Sequence, residues 1–78
     1  MPGIGLMKKR LETEKQAVAL AVSGIIKKYN VNQEDIKTLE MQYDTDAGDW
    51  YVALGFAEKH TVVRMDSVHA TILEINEV

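Results

Sequence analysis

Several short groupings in this chain carry side chains of the kind that perform chemistry. Asp44-Thr45-Asp46-Ala47-Gly48-Asp49 sets carboxylates around a glycine, which is how a calcium-binding EF-hand loop begins. The pattern then fails: the fifth position is Gly48, the sixth is Asp49, and the twelfth is Gly55 where a bidentate Glu is required. The segment reads instead as an acidic hairpin turn. His60 and His69, with Asp66, offer two imidazoles and a carboxylate to a metal. They fall at opposite ends of one strand, roughly 30 Å apart if it is straight, and cannot share an ion within a chain. Asp66, Ser67 and His69 have the residue types of a nucleophile with its base, but in a four-residue turn such side chains seldom face one another. Gly3 and Gly5 follow no strand and precede no Lys-Ser/Thr, so they form no phosphate loop. The reading is of a chain that is not an enzyme, with no catalytic residue, cofactor or metal.

The elements that position these residues follow from periodicity. Val18, Ala21, Val22, Ile25, Ile26 and Tyr29 recur at three-and-four spacing, one apolar face of an α-helix. Thr13 with Gln16 has capping-box form and Asn30 suits a left-handed helix end, giving a helix over 14–29. Leu11, Met7 and Ile4 continue the face backwards, so residues 1–12 form a flexible or helical extension of a single domain, 1–78. Asn32 caps a short helical turn. From Lys37 the period becomes two. Leu39, Met41 and Tyr43 share one face of strand one, and Trp50, Val52, Leu54 and Phe56 one face of strand two. Glu58-Lys59-His60 turns, Val63 and Met65 face inward on strand three, and Leu73 and Ile75 do so on a last short strand. Short loops join consecutive strands as an antiparallel meander. The expected fold is α+β: an N-terminal helix packed on a three- to four-stranded antiparallel β meander, with a core of these inward residues and Val18, Val22, Ile25 and Tyr29.

The outer face of that sheet departs from expectation for a solvated surface. Strand two presents Tyr51, Ala53, Gly55 and Ala57 there, and strand three Val62 and Arg64. A water-facing strand ordinarily carries long polar side chains. Small residues instead permit another surface to approach closely, so these six are the candidate interaction residues. The rival expectation is that Gly55 marks a β-bulge and that the chain's own N- or C-terminal residues fold over this face.

Composition narrows the classes. A chain of 78 residues retains only about 3–5 kcal/mol of net stability from a single core, so a partner or second copy would help it. No cysteine is present to staple the core or bind zinc, which fits a reducing, cytoplasmic setting, although a mature secreted form would read the same. No apolar run approaches a membrane span. Residues 1–30 are net +4 and residues 31–78 net −7, and the basic residues share no single helical stripe. That balance argues against nucleic acid as a partner.

The order of elements, with Trp50-Tyr51-Val52-Ala53-Leu54 and Val63-Arg64-Met65-Asp66, resembles the PepSY domain over about residues 13–76. Ala17, Val18, Ala21 and Val22 stand on the helix, and Asp66 and Ala70 in the last turn; Val68-His69-Ala70 stands where that family usually shows Thr-Gly. The resemblance implies a non-enzymatic module that binds or restrains another protein, sometimes a peptidase. Such a module would act through the outer sheet face or an exposed strand edge, and self-association as a homodimer through the outer face is a further expectation. The alternative is a small ligand-binding or accessory domain of an enzyme, with a pocket between helix and sheet near Tyr29, Tyr43 and Trp50.

Overall fold

A computed structural model describes residues 10–78 of the chain. Thr13 accepts a hydrogen bond from the Gln16 amide, and the Gln16 side chain reaches back to the Thr13 amide. This reciprocal cap starts helix α1 (Glu14–Tyr29), which ends on Asn30 in the left-handed region at φ 58°. A 3-10 turn (Gln33–Asp35) leads into strands β1 (Lys37–Asp44), β2 (Asp49–Phe56), β3 (Lys59–Asp66) and β4 (Thr71–Glu77). The strands pair antiparallel in chain order, and α1 packs on one face, so the molecule is the expected α+β helix-on-meander.

The helix does not extend back through residues 10–12. The amides of Arg10 and Leu11 both donate to the Ser67 carbonyl at 2.9 Å, and the Leu11 carbonyl accepts from Trp50 Nε1 at 3.0 Å. These long-range partners satisfy backbone groups that another helical turn would otherwise hold. Leu11 is buried by them. Met7 and Ile4, expected on the same face, lie outside the described residues.

The helix meets the sheet through small residues. Ala17, Ala21, Gly24 and Ile25 are buried, whereas Val18 and Val22, expected in the core, are only partly covered at its flank. A Cβ on Gly24 would collide with Ile72 Cδ1 of β4, so a hydrogen atom there sets how closely helix and sheet approach. Against this face stand Trp50, Val52, Leu54 and Phe56 of β2 and Val63 and Met65 of β3, all buried.

Two expected core residues are outside it. In β1 Thr38 pairs with Leu54 and Glu40 with Ala53, so Leu39 is an extra, bulged residue and is 52% exposed. In β4 Glu74 pairs with Arg64 and Ile72 with Met65, which leaves Leu73 bulged and 48% exposed. One inserted residue reverses the alternation beyond it, so Ile72, not Leu73, joins Ile75 against the core.

Candidate functional site

The β2–β3 register builds the centre of the outer face. Tyr51 lies opposite Arg64, Ala53 opposite Val62, and Gly55 opposite His60. On the β1 side Gln42 flanks Tyr51 and Glu40 flanks Ala53. Glu40, Gln42, Tyr51, Ala53 and Val62 line an open groove of 210 Å³ over the small Ala53 side chain. Five of the six sequence-derived residues therefore share this face.

Ala57 does not. It forms, with Glu58, a two-residue turn between the paired Phe56 and Lys59, at φ 47° and 63°. Both turn residues adopt left-handed conformations, which suit the right-handed twist of the flanking strands but strain any residue with a Cβ. The turn is thus one residue earlier than the expected Glu58-Lys59-His60, and β3 is correspondingly longer. Gly55 is not bulged. The bulge lies across from it, and Leu39 folds over it, with Cδ1 3.3 Å from where a Gly55 Cβ would stand. Leu39, Glu40 and Gln42 join this face beyond the six expected residues: Glu40 and Gln42 alternate with the inward Met41 and Tyr43, and Leu39, expected in the core, reaches the face through its bulge.

Arg64 is fixed within the sheet. Its Nε donates to Asp49 Oδ2 at 2.8 Å and its Nη1 lies 3.9 Å from Glu74 Oε1. The bond to Asp49 and that carboxylate's charge hold the guanidinium more firmly protonated than usual. Asp49 is buried, so Arg64 supplies the charge that a desolvated carboxylate requires.

Carboxylates stand together at one end of the strands, and charges of both signs at the other. At the β1–β2 and β3–β4 loop end, Asp44, Asp49 and Asp66 stand side by side on neighbouring strands. At the opposite end the strands carry Lys37 and His60 on either side of Gly55, with Asp35 and Glu58 beyond the strand ends.

The Asp66-Ser67-His69 grouping is half assembled. His69 Nδ1 lies 2.7 Å from Asp66 Oδ2, contrary to the expectation that the two would seldom meet, because the loop closes through Ala70 in the left-handed region at φ 55°. The Ser67 hydroxyl turns inward and donates to the Gly48 carbonyl at 2.6 Å, away from the imidazole. The Asp66 carboxyl is held below the usual carboxylate range by His69 first and by the Val68 amide next. The Asp–His pair braces a turn. The Asp44 carboxylate likewise accepts from the Asp46 and Ala47 amides within its own loop, and among the described residues no group of His, Cys, Asp and Glu is arranged to hold a metal.

Between helix and sheet, aromatic rings occupy the space. Tyr29 packs on Phe56 and Tyr43 on Trp50, each with ring centroids 4.9 Å apart. Among the described residues every buried side-chain polar atom has a hydrogen-bond partner. No described helix is long and apolar enough to cross a membrane. Comparison of the chain with protein-family models, with curated proteins and with solved structures finds no match.

Proposed function

We propose that this chain is a non-enzymatic protein-interaction module, PepSY-like in kind, that binds through the outer face of its sheet. The observation that carries this reading is the groove over Ala53, flanked by half-buried Val62 and Tyr51 and continued by exposed Leu39, on a face no described segment covers. An apolar patch rimmed by polar residues is a common mark of a protein contact. The two strand edges are poorer docking sites, since β1 and β4 each carry a bulge, the device by which natural sheets blunt edge pairing. Acidic character over residues 31–78 favours a protein partner over nucleic acid. The absence of cysteine suits a cytoplasmic setting.

Arg64 belongs to the fold's own ion pair, so the probe for this face is Ala53→Arg, which fills the groove and leaves Asp49 paired. Affinity capture from the native host with wild type and with Ala53→Arg, both verified as folded by circular dichroism, tests the reading. Partners recovered by wild type and lost by the variant are expected. Equal recovery by both would contradict binding through this face.

A further inference from the structure

Resting on the outer-face reading, we infer that one occupant of the face is a second copy of this chain, stacked face to face about a two-fold axis that runs across the strands. Four strands about 4.8 Å apart and about 27 Å long present roughly 500 Å². Two such faces bury about 1,000 Å² in total, the lower limit for a specific interface. The dimer is accordingly of modest affinity, and its orientation is set by the Tyr51–Ala53 alternation and the Asp44–Lys37 match.

Two in-plane axes are available for such a stack. An axis along the strands lays each loop end on its counterpart, setting the end that carries the carboxylates of Asp44 and Asp66 against the same end of the other copy. An axis across the strands reverses one sheet end for end. Asp44 then faces Lys37 of the second copy, carboxylate against ammonium. The same operation brings the bulky Tyr51 ring over Ala53, into the groove beside it, so large meets small twice by symmetry. The Asp44–Lys37 match and the Tyr51–Ala53 alternation along β2 thus select the same arrangement.

The absence of cysteine permits a direct test. Glu58→Cys, in the exposed turn beyond the Lys37 end, carries a nitroxide on unlabelled chain, which is mixed with nitrogen-15-labelled wild type at high micromolar concentration. Broadening should concentrate on amides of the 45–48 and 67–70 loops of the labelled copy, and a Lys37→Glu change in both copies should weaken it several-fold. Broadening centred on residues 57–59 of the labelled copy would overturn the orientation. No intermolecular broadening, with a monomer mass by light scattering, would overturn the second copy as occupant; captured partners still sensitive to Ala53→Arg would show that the face itself binds protein.

Discussion

The two faces of β2 are built from the same eight residues under opposite demands. Trp50, Val52, Leu54 and Phe56 alternate with Tyr51, Ala53 and Gly55; the first set is buried under α1, whereas the second forms a shallow surface whose glycine is covered by the bulged Leu39 and by His60. The inner face is finished within the chain. The outer face has apolar character without a cover among the described residues, so most of the packing that holds the fold lies on one side.

The sharpest contrast is between adjacent positions. Leu54→Ala deletes a fully buried side chain and should cost about 2–5 kcal/mol, comparable to the whole stability of so small a core, so the variant should be largely unfolded by circular dichroism at room temperature. Ala53→Ser on the opposite face should shift the urea midpoint by no more than about 0.5 kcal/mol equivalent. If the two variants lose similar stability, the division between the faces is wrong.

Arg64 is where the outer face also supports the fold. Arg64→Leu strands the buried Asp49 carboxylate and should lower the urea midpoint, with much of the loss recovered by adding Asp49→Leu, because removing both partners leaves no unpaired charge. A smaller change of opposite sign is expected at the turn that takes Ala57 off the face. Ala57→Asn with Glu58→Gly relieves two left-handed residues and should raise stability by about 1–2 kcal/mol, read as a higher thermal midpoint.

The smallest effect concerns the acidic rim. The folded state lowers the Asp66 carboxyl, so its contribution is complete above the unfolded-state value and is lost as pH falls through the folded one. Wild-type stability should therefore decline below the ordinary carboxylate range more steeply than that of Asp66→Asn, which keeps an acceptor for the Val68 amide. Parallel pH profiles for the two proteins would contradict this assignment.

Much of this contrast was legible in sequence, and the exceptions have physical causes. The helix bounds rest on side chains that act within one turn, Thr13 with Gln16, so local spacing was sufficient to find them. Strands β2 and β3 alternate without interruption, which placed five face residues correctly. Leu39 and Leu73 were misassigned because a bulge is a property of the pairing between strands, and each apolar residue read singly gives no sign of it. The helix contact was sought in Val18 and Val22, the more hydrophobic residues, while Ala17 and Gly24 win the position because close approach rewards small size. Leu11 is apolar and continues the helical face, yet its burial depends on Ser67 and Trp50, far away in the chain.

Sedimentation equilibrium of the purified wild type beside Ala53→Arg, from low to high micromolar concentration, tests the central claim most directly. A wild-type mass that rises to twice that of one chain, with a folded variant that stays at the mass of one, is the predicted result. A wild type that remains single at the highest concentration, or a variant that pairs as strongly as wild type, would contradict a second copy on the outer face.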